Sequence, residues 1–123
     1  MKKKIMVVDD EPDQIFTAKM ILEDLGSEYE VIGVSSGNKC IEMLKKNKIP
    51  DIIFLDIMMP GMNGWDVAAE IKKNPKWKKI PLVFLTAKTD SLSATFGKIV
   101  SEDYILKPFE ISDLKKSIDK FLD

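Results

Sequence analysis

The chain carries DIIFLDIMMPGMNGWD at residues 51–66, a pattern from which its fold class can be predicted. Ile52–Leu55 is an apolar run with no polar interruption, which is typical of a strand buried on both faces of a parallel sheet. After a loop that contains proline and glycine, Trp65–Lys73 predicts a helix that ends near Asn74-Pro75. Residues 51–74 therefore predict one strand–loop–helix unit.

Similar units precede and follow this one. Four further strands are predicted at Ile5–Val8, Val31–Val34, Leu82–Leu85 and Tyr104–Leu106. Further helices are predicted from a cap at Asp13 to about Leu25, after a cap at Ser36, and from about Ile111. Strands that alternate with helices in this way indicate repeated βα units, and hence an α/β fold with a parallel sheet and helices on both faces.

Length and composition fit one compact domain. The chain has 123 residues, of which 45% are hydrophobic, so a sizeable core can form without disulfides or structural metals. We therefore expect a single domain over residues 1–123. Nineteen basic residues stand against twenty acidic ones, a formal net charge of −1, which argues against a nucleic-acid-binding surface.

Cys40 is the one cysteine in the sequence, and histidine is absent from it. A single cysteine excludes an internal disulfide and a cysteine metal site, and it suits a reducing, cytoplasmic environment. The apolar run Ile5–Val8 is too short for a signal peptide or a membrane span, so membrane insertion is not expected. Without histidine, any chemistry must rely on carboxylates, hydroxyls and lysines.

Charged and hydroxyl side chains stand where four of the predicted strands end. Asp9-Asp10 follows the first strand, Asp56 the third, Thr86 the fourth and Lys107 the fifth. Each of these residues alone is commonly a turn former, a helix cap or a surface lysine. Because the C-terminal ends of parallel strands share one edge, where such sheets bind ligands, the whole set predicts a pocket.

The predicted pocket has the composition of a site for phosphoryl transfer. Its three carboxylates repel one another unless a cation neutralises them, and Mg²⁺ or Mn²⁺ prefers such oxygen ligands. Lys107 could neutralise a phosphoryl oxygen, and Thr86 could donate a hydrogen bond to one. Asp56 comes from a central strand and is the best candidate for a carboxylate nucleophile that forms an acyl phosphate.

Four sequence blocks resemble the successive blocks of response regulator receiver domains of two-component systems. They are KKKIMVVDDEPD, DIIFLDIMMPGMNGWD, PLVFLTAK and DYILKPF, and the resemblance covers essentially the whole chain. It implies a flavodoxin-like (βα)5 fold with strand order 2-1-3-4-5. It also implies a signalling switch that accepts a phosphoryl group on Asp56 from a sensor histidine kinase or a phosphotransfer protein. Such a switch is not an enzyme beyond catalysing its own phosphorylation and dephosphorylation.

The resemblance also implies roles for individual residues of the pocket. The direct magnesium ligands would be Asp10, Asp56 and the Met58 backbone carbonyl, with Asp9 acting largely through water. The groups that hold the phosphoryl oxygens would be Thr86, Lys107 and the Ala87 backbone amide. The peptide bond between Lys107 and Pro108 would be cis.

The switch implied by the resemblance couples the pocket to a surface in the second half of the chain. Thr86 would move toward the phosphoryl group, and Tyr104 would rotate into the vacated space. The output surface would be the fourth helix, fifth strand and fifth helix, roughly residues 89–123, and would bind a downstream target or a second copy. Residues 100–103 read VSED where many members carry Gly-Ala, and Thr89–Lys98 is rich in weak helix formers, which predicts a short or mobile fourth helix.

Separate predictions can be made for three further side chains. Met58 lies two residues after Asp56 and hydrogen-bonds water poorly, so we predict a fairly long-lived phosphoryl group. Trp65 is expected to pack in the first turn of the third helix, and Trp77 is expected to pack within a loop.

Three alternative functions stay open from the residues alone. A metal-dependent phosphotransferase of haloacid-dehalogenase type would have its nucleophile after the first strand in an Asp-x-Asp arrangement. Here Asp9 and Asp10 are adjacent. A flavodoxin-like small-molecule binder would need a phosphate-binding loop in place of those carboxylates. A receiver-like interaction module would not react with a small phosphodonor.

Overall fold

A computed structural model describes residues 2–26, 28–87 and 103–122, with the backbone alone for Thr86, Ala87 and Asp103. The strands are β1 (Lys3–Val8), β2 (Tyr29–Val34), β3 (Ile52–Asp56), β4 (Leu82–Ala87) and β5 (Asp103–Lys107). The helices of this part of the chain are α1 (Pro12–Asp24), α2 (Gly37–Lys45), α3 (Gly64–Lys73) and a C-terminal helix (Ile111–Leu122). The predicted fourth helix over Thr89–Lys98 lies outside the described residues.

The strands form one parallel sheet in the order β2-β1-β3-β4-β5, which confirms the predicted flavodoxin-like topology. β1 lies between β2 and β3, with Ile5 opposite both Val31 and Ile52. The apolar runs of β1 and β3 are almost completely buried, because a parallel sheet of this kind is covered on both faces. The observed β2 and β5 begin earlier than predicted, at Tyr29 and Asp103.

Helices cover both faces of the sheet and enclose two apolar clusters. On one face, α2 and α3 bury Cys40, Ile41, Leu44, Val67, Ala68 and Ile71 against the sheet. On the other face, α1 and the C-terminal helix bury Ala18, Leu22, Leu114 and Ile118. The periodic apolar positions of these helices are the ones that face the sheet, so the amphipathic pattern explains the two layers.

Both tryptophans pack as predicted. Trp65, in the first turn of α3, meets Phe84 of β4 edge to face, with ring centroids 4.9 Å apart. Trp77, in the connection from α3 to β4, is 7% exposed and belongs to the apolar cluster beneath α2 and α3. These rings fix α3 and its following loop against the sheet.

The start of α1 differs from the prediction. The N-cap is Glu11, with Pro12 as the first helical residue, and Asp13 lies inside the first turn instead of capping it. Proline fixes φ near its helical value and lacks the N–H that a first-turn residue would leave unpaired, so it determines the start.

Within the described residues, no helix is both long and apolar enough to span a membrane.

Candidate functional site

The sheet topology brings the predicted site positions to one edge. Asp9 directly follows β1, Asp56 ends β3, and Lys107 ends β5. Thr86 and Ala87 end β4, where their backbones pair with Leu106 and Lys107. Since all five strands run parallel, these positions lie at the same C-terminal edge, as predicted.

Three carboxylates meet at this edge. Asp9, Asp10 and Asp56 each offer an oxygen, and these oxygens all lie within 4.8 Å of one another. Asp9 is completely buried, Asp56 is 7% exposed and Asp10 is half-buried. The Asp9 Oδ1 accepts a hydrogen bond of 3.0 Å from the Glu11 backbone N–H, which fixes this carboxylate beneath the start of α1.

Lys107 joins two of the carboxylates. Its Nζ donates to Asp9 Oδ2 at 2.9 Å and to Asp56 Oδ1 at 3.1 Å. The ammonium reaches these oxygens from β5, at the far side of β4, because its side chain extends across the strand ends. This contact couples residues that are 98 and 51 positions apart in the sequence.

The surroundings of Asp56 favour its neutral form. Burial, followed by the negative charge of Asp9, raises the pKa of Asp56 from its ordinary 3.8 to about 6. Asp10 adds to this effect, whereas the charge and hydrogen bond of Lys107 lower the pKa in part. One ammonium is therefore not enough to balance three neighbouring carboxylates.

Lys107 stays an ammonium ion at neutral pH. Burial lowers its pKa, but the hydrogen bond to Asp9 and the negative charges of Asp56 and Asp9 outweigh that effect and raise the pKa above its ordinary value. The site thus holds a fixed positive charge next to a carboxylate that ionises less readily than an ordinary aspartate.

The donor set fits a hard divalent cation. Mg²⁺ and Mn²⁺ take carboxylate oxygens as ligands, and three such oxygens stand close together here with an excess of negative charge. Burial is the largest cause of the raised pKa of Asp56, and a second positive centre would offset the negative charges of Asp9 and Asp10 that add to it. The acidic cluster could therefore hold a metal ion.

Other predicted site residues stand as follows. The side chain of Thr86 lies outside the described part of the chain, so its predicted role is untested. Tyr104 is half-buried and packs against the cluster beneath α2 and α3. Met58 leaves 70% of its surface exposed in the loop after β3. The peptide bond between Lys107 and Pro108 is cis, as the resemblance implied.

Sequence reasoning missed two features of the site. It did not predict that Asp9 is the nearer partner of Lys107, because spacing along the chain does not tell which carboxylate a long side chain reaches. It also missed the role of Gly64, whose backbone N–H donates to the Ile57 carbonyl at 2.9 Å. A Cβ at Gly64 would lie 2.5 Å from the Asp56 carbonyl oxygen, so only glycine lets α3 begin this close to β3.

Known proteins are similar to this chain in both sequence and architecture. The family described as the response regulator receiver domain matches residues 5–119. The DNA-binding response regulator MtrA of Mycolicibacterium smegmatis is 35% identical over 115 residues, which cover 93% of this chain and 48% of that protein. This chain thus spans about half the length of that relative.

Two similar proteins match this chain over nearly their whole length. Protein PilH of Pseudomonas aeruginosa is 29% identical over 120 residues, 97% of each chain. The crystal structure of chemotaxis protein CheY4 of Vibrio cholerae superposes with a TM-score of 0.87 at 27% identity, covering 99% of this chain and 100% of the other. Similarity to these proteins accounts for the fold and for the arrangement of the strand ends.

Proposed function

Because the chain belongs to the response regulator receiver domain family of two-component systems, we propose that it is a switch turned on by phosphorylation of Asp56. The observation that supports this most directly is the position of Lys107, whose Nζ lies 3.1 Å from Asp56 Oδ1 beside two further carboxylates. The proposal assigns residues 1–123 to a single receiver domain that works in the cytoplasm.

Asp56 is the proposed phosphoacceptor. One of its oxygens attacks the phosphorus of the donor, the bond from phosphorus to the donor atom breaks, and an acyl phosphate forms on Asp56. A sensor histidine kinase or a phosphotransfer protein is the proposed donor. Mg²⁺ or Mn²⁺, when bound, supplies positive charge for the phosphoryl oxygens that gather at the carboxylates.

Neighbouring residues would hold the cation and the transferred group. The proposed direct ligands are Asp10, Asp56 and the Met58 backbone carbonyl, with Asp9 acting largely through water. Lys107 neutralises one phosphoryl oxygen, while the Thr86 hydroxyl and the Ala87 amide donate hydrogen bonds to the others. Lys107 suits this role because Asp9 and Asp56 already hold its Nζ next to the acceptor oxygen.

Movements of Thr86 and Tyr104 would couple phosphorylation of Asp56 to the output face. Thr86 moves toward the phosphoryl group, and the half-buried ring of Tyr104 turns inward. The proposed output face combines the predicted fourth helix with β5 and the C-terminal helix, and on the last two elements Leu106 and Ile111 are each 43% exposed. A downstream target or a second copy of the chain binds there.

A haloacid-dehalogenase-type phosphotransferase is not favoured. That class would use a nucleophile directly after β1, but Asp9 is completely buried and bonded to Lys107. Asp56, by contrast, keeps part of its surface accessible.

Incubation with Mg²⁺ and acetyl phosphate, followed by mass spectrometry of peptides, tests the proposal. We expect one phosphoryl group on the peptide that contains Asp56, and none on the Asp56→Asn variant. Asp51→Asn is the matched control, because Asp51 lies at the opposite end of β3 and should leave the reaction unchanged. A phosphoryl group on Asp9 would favour the phosphotransferase instead, and absence of any reaction would leave an interaction module.

A further inference from the structure

A lysine-rich surface occupies the end of the molecule opposite the carboxylates. Lys45, Lys46 and Lys48 lie at the end of α2, and five more lysines fall within residues 72–79, at the end of α3 and in the following loop. We call these eight side chains the α2–α3 basic face. Seven of them are exposed, and Lys72 is half-buried. The face holds eight of the nineteen basic residues of a chain whose net charge is −1.

Stabilisation of helix ends does not explain this concentration. Lysine near a helix C-terminus interacts favourably with the helix dipole, but the effect is confined to the last turn. α1 ends with Glu23 and Asp24 and has no basic residue in its last turn, so the fold does not require lysine there. Lys76, Lys78 and Lys79 lie beyond the end of α3.

Two lysines of the basic face pair with neighbouring acidic side chains. Lys46 pairs with Glu42 at 3.4 Å and Lys73 with Glu70 at 3.3 Å, both on exposed surface. Such exposed pairs bind weakly and can exchange for other partners. Among the described residues, no acidic side chain forms an ion pair with Lys45, Lys48, Lys76, Lys78 or Lys79. The local repulsion therefore favours an external anion.

A groove of about 400 Å³ lies within the face, between the ends of α2 and α3. Leu44, Pro75 and Trp77 give it an apolar lining, and Lys45 and Lys76 flank it. Asn47 and Asn74 add amide groups that can bond to a peptide backbone. The groove can thus take one side chain of moderate size while the lysines bind carboxylates around it.

We propose that the α2–α3 basic face binds an acidic segment of a partner protein, with an apolar side chain of that segment in the groove. An anionic membrane is the weaker fit. The exposed large hydrophobic residues of the described chain are Phe16, Met20, Met58, Leu106 and Ile111, and none lies on this face to enter a bilayer. This binding is separate from the phosphorylation of Asp56 and goes beyond the proposed function.

Titration of the isotope-labelled full chain with a synthetic glutamate-rich peptide that carries one central phenylalanine tests the inference by NMR. We expect saturable shifts of amide signals in residues 44–48, 74 and 76–79, and weaker binding as salt increases. The double variant Lys45→Glu/Lys76→Glu should bind about ten-fold or more weakly. The double variant Lys19→Glu/Lys116→Glu, which makes the same charge change at exposed sites on α1 and the C-terminal helix, should bind like the parent.

A second peptide, with serine in place of phenylalanine, isolates the groove. It should bind several-fold more weakly to the parent chain and shift Trp77 less. Equal losses in both double variants, or shifts spread over all lysines, would overturn the inference. Tighter binding to phosphatidylserine vesicles or to a DNA duplex than to the first peptide would overturn the choice of an acidic protein segment. The Asp56→Asn chain should give the same titration, which separates this test from that of phosphorylation.

Discussion

At the scale of single residues, the contact of Lys107 with Asp9 and Asp56 combines structural and chemical roles. Removing one member of a buried ion pair leaves the other charged and unpaired, which typically costs about 3–5 kcal/mol. Lys107 keeps 19% of its side chain exposed, so part of that cost is screened by water.

We therefore predict that Lys107→Ala lowers the free energy of unfolding by about 2–3 kcal/mol at pH 7 without divalent cation. Urea denaturation measures the effect. Lys115→Ala is the control, because Lys115 pairs with Asp119 on exposed surface and should change stability by less than about 1 kcal/mol. Equal effects of the two changes would contradict the role assigned to Lys107.

Asp56 should reduce the stability of the metal-free protein at neutral pH. Its pKa is about 6 in the folded chain and has an ordinary value of 3.8, so the folded state binds the proton more tightly. The contribution of Asp56 to stability is then largest below about pH 4, falls as the pH rises toward 6, and stays lower above it. The full shift corresponds to roughly 3 kcal/mol, an upper bound for this one group.

Asp56→Asn is accordingly predicted to stabilise the metal-free chain by about 1–3 kcal/mol at pH 7.5, and much less at pH 4. Thermal unfolding at the two pH values measures this difference. Asp51→Asn should act in the opposite direction, because Asp51 Oδ2 accepts a bond of 2.7 Å from the Lys4 backbone N–H. A destabilised Asp56→Asn chain at pH 7.5 would contradict the electrostatic account.

At the scale of elements, sequence periodicity predicted every strand and helix now described, but some ends were less well predicted. The prediction that Asp13 caps α1 was wrong. It gave the capping preference of aspartate more weight than the preference of Pro12 for the first helical position. The start of α3 is built from a capping box of Asn63 and Asp66, with Gly64 between them as the first helical residue. The capping box is a local contact over three residues. By contrast, only the folded backbone reveals that Gly64 packs against the Asp56 carbonyl.

Gly64→Ala tests how closely α3 must approach β3. The added methyl would meet the Asp56 carbonyl oxygen and the Ile57 Cα, so we predict a loss of about 2–3 kcal/mol in stability. Phosphorylation should slow as well, because Asp56 would shift.

Gly61→Ala is the matched control. Gly61 has a positive φ of 73° but open space around it, so alanine there should cost only about 1 kcal/mol and spare the reaction. Equal slowing of phosphorylation by both variants would mean that loop strain, and not contact with β3, controls the site.

At the scale of the whole molecule, the sequence correctly predicted a doubly wound sheet with its charged residues at one edge. The alternation of short apolar runs with amphipathic segments is enough to predict this sheet, because parallel strands are joined by crossover connections that are usually helices. It could not predict the α2–α3 basic face. The two lysine groups are separate in the sequence, and only the packing of α2 beside α3 makes them one surface.

Cation binding should stabilise the entire domain. A ligand that binds the folded state alone at one hundred times its Kd adds about 2.7 kcal/mol to the free energy of unfolding. We predict that saturating Mg²⁺ raises the Tm of the parent chain, with little effect on Asp10→Asn or Asp56→Asn. Calorimetry with matched ionic strength provides the measurement, and Asp13→Asn, on exposed surface in α1, is the control.

β3 has only five residues, so the strand that runs from the lysine-rich end to the carboxylate edge spans roughly 16 Å, at about 3.3 Å per residue. A short acidic segment bound at the lysine-rich end would leave the carboxylate edge accessible. The molecule could consequently be recruited to a location and modified there at the same time, with neither event competing for space. Placement in the cell and chemical state would then be two independent inputs to a single small domain.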